Sequence, residues 1–182
     1  MKDFKKFGPF AYTAKLRNGL FRNTGACLSP QNAFYNSIGM ETLGLRMERV
    51  CDNAKTLAQF FATEYSDIEV NYPGLAGSKW HNIATEQFGD KFGGIITIRT
   101  GNKKRAFGII DALKLPLIVS NIGDTKTLVI HPESTLNVHS TQEEKETAGV
   151  FDDLIRISVG IEDIDDLIDD FKQAIESVKD VY

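Results

Sequence analysis

The chain is poor in the residue types that mark many common chemistries. It has only two cysteines, Cys27 and Cys51, and no C-x-x-C pair. That excludes a disulfide framework and a zinc site built on cysteine spacing. Both cysteines lie beside apolar residues in helix-like sequence, so two buried thiols in a reducing cytoplasm are expected. Histidines are scarce too, and neither His131 nor His139 has metal-ligand spacing. There is no Walker loop, no Rossmann fingerprint and no Ser-His-Asp set, and Gly93-Gly94 is too little for a phosphate loop. No apolar run reaches the roughly 18 residues needed to span a bilayer. Met1 to Phe10 carries lysines without an apolar stretch, which does not read as a signal peptide. Basic excess is missing as well. Net charge is −4 and the pI about 5.4, which argues against nucleic acid or anionic membrane as the main partner.

What is present is enough for a core. Of the 182 residues, 42% are hydrophobic and 25% charged, the balance of a folded domain rather than a disordered chain. Ser29-Pro30 is a helix start, with Ser as N-cap and Pro in the first turn. From there Ala33, Asn36, Met40, Leu43, Met47, Val50, Ala54, Leu57 and Phe61 recur every three or four residues. That spacing predicts one helix from about Pro30 to Ala62. Such a length suits a linker between two bodies. Gly39 and Gly44 inside it cost about 1 kcal/mol each relative to Ala, and they mark close packing or a bend. Strands are expected at 68–72, 93–99, 117–119, 127–130 and 154–159, the third of them short and buried. Helices are expected at 78–88, 102–113 and 161–178. Thr141 with Glu144 forms a capping-box pattern. Short connections among these elements predict an α+β fold with a largely antiparallel sheet and helices on one face.

Few residues stand out for chemistry. Arg156 interrupts the apolar strand Leu154-Ile155-Arg156-Ile157. With period two it shares a face with Leu154 and Ser158. An Arg there faces solvent, an ion pair or a ligand, and its planar fork suits a carboxylate. Asn121-Ile122-Gly123-Asp124 follows a strand end and is either a plain turn or a ligand loop. Lys103, Lys104 and Arg105 read as the solvated start of a helix. Glu162, Asp163, Asp165, Asp166, Asp169 and Asp170 lack EF-hand spacing and its glycine. They read as a wet helix face near the positive end of the dipole. No metal site is expected.

Read together, five stretches resemble one family. They are Leu28-Ser29-Pro30-Gln31-Asn32-Ala33-Phe34, then Met40-Glu41-Thr42-Leu43-Gly44-Leu45-Arg46-Met47-Glu48-Arg49, then Val70-Asn71-Tyr72-Pro73-Gly74-Leu75. The others run from Asn121 to Pro132 and from Leu154 to Asp163. In this order they are similar to the second half of the cystathionine-synthase/lyase, or Cys/Met metabolism, family of pyridoxal-phosphate enzymes. The form Asn121-Ile122-Gly123-Asp124-Thr125-Lys126-Thr127 most resembles the O-acetylhomoserine sulfhydrylases. Cystathionine enzymes and methionine γ-lyases tend to carry Ser-Leu-Gly-Gly there. Where the family usually has Thr-His after His-Pro, this chain has Leu136-Asn137.

The resemblance implies the small C-terminal domain of a fold-type I pyridoxal-phosphate enzyme. Residues 1–29 would be the remnant of the large cofactor domain, 30–63 a long linking helix and 64–182 the α+β domain. It implies γ-replacement of acetate in O-acetylhomoserine by sulfide or a thiol, giving homocysteine or methionine. Arg156 matches the arginine that grips the substrate α-carboxylate, and Asn121 matches the position that helps seat it. The family's cofactor lysine, in a Ser-x-Thr-Lys context, lies upstream of the matching region, with the acidic and phosphate contacts. Lys15, in Tyr12-Thr13-Ala14-Lys15, resembles it superficially but its neighbours fit the helix after that lysine. No catalytic or cofactor-binding residue is therefore expected here, and the chain is expected to be inactive alone. Partners are the substrate carboxylate and a chain bearing the cofactor half. The rival expectation is a non-catalytic assembly module that self-associates or pairs with a full-length subunit.

Overall fold

The computed structural model describes residues 2–179. It divides into two compact units, Met1–Thr42 and Leu43–Tyr182.

The first unit is a succession of short helical pieces. Lys2–Phe10 forms 3₁₀ turns broken at Gly8, where φ is 53°. Helix α1 (Ala11–Leu16) runs through a π turn, Arg17–Phe21, into α2 (Arg22–Thr24). Gly25 ends it in the left-handed conformation, φ 63°, which costs glycine nothing. Helix α3 (Pro30–Glu41) starts as expected: the Ser29 hydroxyl accepts the Asn32 N–H at 3.2 Å and Pro30 opens the first turn. No residue of α1, α2 or α3 is buried.

The single helix expected from Pro30 to Ala62 is two helices. Thr42 leaves the helical conformation (φ −107°, ψ 4°) between α3 and α4 (Leu43–Glu64). Gly39, β-branched Thr42 and Gly44 lie within six residues, and each lowers helix propensity. A Cβ at either glycine would meet nothing within 4 Å among the described residues.

The second unit holds a five-stranded sheet of β1 (Glu69–Asn71), β2 (Ile95–Arg99), β3 (Leu117–Ile118), β4 (Leu128–Ile130) and β5 (Leu154–Ser158). The spatial order is β1-β2-β5-β4-β3, and only β3 with β4 is parallel. The fold is therefore α+β with a mixed, mainly antiparallel sheet. Alternate sheet residues Ile96, Ile98, Val129, Ile155 and Ile157 face one core. They meet Leu57 and Phe61 of α4, Ile109 of α6 (Lys103–Ala112) and Phe171 of α8 (Ile164–Ser177). Phe61 and Phe171 pack edge to face at 5.2 Å. Burying each such side chain contributes about 1.5–3 kcal/mol. Two shorter helices, α5 (His81–Phe88) and α7 (Gln142–Thr147), complete the unit, and α7 carries the Thr141–Glu144 capping box.

Two expectations about burial need correction. Strand β3 is an exposed edge, with Leu117 46% and Ile118 64% accessible. An apolar run alone cannot tell a central strand from an edge. Cys51 is buried in α4, but Cys27 is exposed and outside any helix. Among the described residues, no helix is long and apolar enough to cross a membrane, and no cluster of His, Cys, Asp and Glu could hold a metal ion.

Candidate functional site

Arg156 sits at the middle of β5, itself the middle strand of the sheet. Thr97 on β2 and Ile130 on β4 are its cross-strand neighbours. Because Ile155 and Ile157 belong to the core, alternation turns Arg156 to the opposite face, with Leu154 and Ser158 as expected. That face is not a wet one, for Leu128, Ile130, Leu154 and Ser158 are all buried. Arg156 is half-buried among them. Arg49, Arg99 and Arg105 each pair with an aspartate. The Arg156 guanidinium has no hydrogen bond or ion pair among the described residues. Partly desolvating a cation without a counter-charge is costly, and a carboxylate taken up in two parallel hydrogen bonds would offset that cost.

Asn121 is exposed in the connection from β3 to β4. Its Oδ1 accepts the neighbouring Ile122 N–H at 2.9 Å, which leaves the amide NH₂ as its outward donor. Ile118 pairs with Val129, and Ile130 pairs with Arg156. Strand β3, which leads into the Asn121 loop, is therefore not adjacent to β5: β4 lies between them. Gly123, at φ 77°, turns the loop back, and the Asp124 carboxylate accepts the Lys126 N–H at 3.2 Å.

The acidic run is not uniformly wet. Asp165, Asp166 and Asp169 are exposed, as expected. Asp170 is buried and accepts the N–H groups of Lys114 and Leu115, both at 2.9 Å. The Glu162 carboxylate accepts both the N–H and the hydroxyl of Thr127. No local pattern distinguishes these two acids from their neighbours; only the arrival of β4 and the α6–β3 connection gives them partners. His131 is structural, bonded to Ser134 and to the Asp152 carbonyl. Lys103 does open a helix, and with Lys145 it holds Glu133, whose carboxyl is pulled down to about 2 by these two ammonium groups.

A cleft of about 850 Å³ opens on the β1–β2 side, lined by Asn71, Trp80, Thr97, Arg99, Phe151 and Leu154 among others. It lies on the Arg156 face, since Thr97 pairs with Arg156 and Leu154 is two residues before it. Arg99 there is already engaged, bonded to Asp153 at 2.9 Å and stacked on Phe151 at 4.0 Å.

Lys15 is the residue whose surroundings can be tested against an imine-forming lysine. Such a lysine needs burial or a neighbouring cation to lower its pKa. Lys15 stands exposed on α1.

Comparison with known proteins is consistent with these motifs. A family model described as Cys/Met metabolism PLP-dependent enzyme matches residues 8–176. An O-acetyl-L-homoserine sulfhydrylase from Corynebacterium glutamicum is 38% identical, over 96% of this chain and 40% of its own length. An L-methionine gamma-lyase from Fusobacterium nucleatum subsp. polymorphum is 40% identical, over 88% of this chain and 40% of its own. A crystal structure from Campylobacter jejuni, described as an O-acetylhomoserine (thiol)-lyase with a pyridoxyl-lysine phosphate, superposes with a TM-score of 0.85. It is 39% identical and covers 92% of this chain and 40% of that one. The chain thus spans about two fifths of the length of the curated relatives it matches.

Proposed function

The chain belongs to the Cys/Met metabolism PLP-dependent enzyme family, and from that premise we propose that it is the C-terminal part of an O-acetylhomoserine sulfhydrylase-like enzyme. In this reading residues 64–182 are the small domain, 30–63 the connection to the cofactor domain and 1–29 a remnant of it. The reaction is replacement of the acetate of O-acetylhomoserine by sulfide or a thiol, yielding homocysteine or methionine. When bound, pyridoxal phosphate supplies the electron sink for this chemistry, and the residues that hold it lie outside these 182. This chain contributes the grip on the substrate. Arg156 takes the α-carboxylate in its fork and Asn121 donates its amide to the same group. The chain alone carries out no turnover, because Lys15 does not fit the cofactor-bearing lysine.

One observation carries the reading: Arg156 is a half-buried guanidinium at the centre of the sheet with no partner among the described residues. Titrating the chain with pyridoxal phosphate, with borohydride trapping and peptide mapping, tests the cofactor half of it. No stoichiometric adduct is expected, and a trapped imine at Lys15 would overturn it. Titrating with O-acetyl-L-homoserine tests the grip. Saturable binding should be lost in Arg156→Met, and equal binding by both proteins would refute it.

A second reading, a non-catalytic assembly module, draws on Phe10, Tyr12, Phe34 and Tyr35, each more than half accessible. Exposed apolar side chains in such number invite association with another copy or a full-length subunit. Sedimentation in the absence of cofactor separates the two: an assembly module associates, and a half-enzyme waits for its cofactor domain.

A further inference from the structure

Building on the carboxylate-grip reading, we propose that Glu162, acting through Thr127, is a positioning residue that fixes the loop bearing Asn121 against the strand bearing Arg156. Thr127 is wholly buried and immediately precedes β4. Its N–H and its hydroxyl both donate to the Glu162 carboxylate, the hydroxyl at 2.8 Å. The same hydroxyl accepts the Gly160 N–H at 2.9 Å. Its carbonyl accepts the Leu117 N–H at 2.9 Å. One residue therefore closes the base of the Asn121 loop, joins it to β3 and ties both to the segment that leaves β5.

The Glu162 side is anchored in turn. Asn53 of α4, itself buried, donates to the Gly160 carbonyl at 3.1 Å and to the Glu162 carbonyl at 2.9 Å. The Ile161 N–H donates to the Thr125 carbonyl at 2.9 Å. A Cβ on Gly160 would fall 2.5 Å from Thr125 O and Lys126 C, so the two segments touch at their backbones. Asn121 follows β3 and Arg156 lies on β5, two strands with β4 between them, and among the described residues no hydrogen bond joins the two side chains. Beside the Ile161–Thr125 backbone bond, the bonds of Thr127 to Glu162 and Gly160 are the side-chain link from the loop to the exit of β5.

The network has a direction, and that makes it testable with small changes. The Thr127 hydroxyl receives one proton from Gly160 and gives its own to Glu162. The carboxylate uses one oxygen for each Thr127 donor; a glutamine at 162 keeps only one of those oxygens and puts an NH₂ in place of the other, which sets a donor against one of the Thr127 donors. Glu162→Gln is nearly isosteric yet breaks the pattern, Thr127→Val removes both hydroxyl bonds and leaves only the backbone N–H on Glu162, and Thr127→Ser keeps all three.

The measurement is a ¹H–¹⁵N titration of the full chain with O-acetyl-L-homoserine, read at Arg156 Nε and Asn121 Nδ2. In the unaltered chain both signals should follow one saturation curve. In Glu162→Gln and Thr127→Val, the Asn121 response should disappear while Arg156 still responds, with Kd raised about tenfold, as misplacing one of two aligned groups does. Thr127→Ser should restore both signals to within about twofold of the original Kd. Unchanged coupling and Kd in Glu162→Gln would overturn the positioning role and leave the grip standing. An unaltered chain with no saturable Arg156 response would overturn the grip, and the positioning role with it. If Glu162→Gln fails to fold, the pair at Thr127 decides: recovery in Ser but not Val supports the role, and equal behaviour overturns it.

Discussion

Helices α3 and α4 carry the same spacing of apolar residues and end in opposite conditions. Ala33, Ile38 and Met40 of α3 remain outside any core, whereas Val50, Ala54, Leu57 and Phe61 of α4 are almost fully buried. Periodicity states which residues of a helix share a face; it does not state whether another element covers that face. In the second unit the sheet supplies Ile96, Ile98, Ile155 and Ile157 as the opposing surface. In the first unit α1, α2 and α3 bury nothing. Apolar pattern is a promise of burial, and the amount of surface available nearby decides whether it is kept.

The largest effect should come from truncating a buried aromatic, with an exposed one as its counterpart. Phe61→Ala leaves a cavity against Phe171 and should cost about 3–5 kcal/mol, read by urea denaturation. Phe34→Ala, on the exposed side of the comparison, should stay within about 0.5 kcal/mol; a cost near that of Phe61→Ala would show that the first unit has a core after all. Asp170→Ala should follow, at about 2–3 kcal/mol, because it strands two backbone N–H groups in a partly buried turn.

Glycines give a sharper version. Gly160→Ala drives a Cβ into the backbone at Thr125 and Lys126 and should cost about 1–3 kcal/mol. Gly44→Ala meets nothing within 4 Å and should stabilise the helix by about 0.5–1 kcal/mol. Equal effects at the two positions would remove the distinction between a covered and a bare backbone.

The smallest effect is a pH dependence confined to the second unit. Glu133 has its carboxyl lowered from 4.5 to about 2 by Lys103 and Lys145. A depressed folded-state value contributes stability that is present above pH 4.5 and lost as pH falls toward about 2. The Glu133 side-chain carboxyl should titrate near 2 by NMR, and Lys103→Met with Lys145→Met should return it toward 4.5. A midpoint already at 4.5 in the unaltered chain would show the two ion pairs absent in solution.

Much of this was readable before any coordinates. The Ser29 cap with Pro30, the Thr141–Glu144 box and the strands around Ile96 and Ile155 rest on interactions between residues close in sequence or on a strict period of two. Arg156 was visible because a charge interrupts an otherwise apolar strand. The two errors about burial have one origin. The exposure of β3 and of Cys27 depends on which strands and helices lie next to each other.

The sequence by itself determined the element types, the face on which Arg156 stands and the family to which the chain belongs, because each is written in local spacing or in collinear motifs. Only the tertiary structure decided the pin of Glu162 on Thr127, the burial of Asp170 and the break at Thr42. The first two pair groups dozens of residues apart, where neither partner carries a local mark. The third depends on a balance of helix propensity too fine for periodicity to settle.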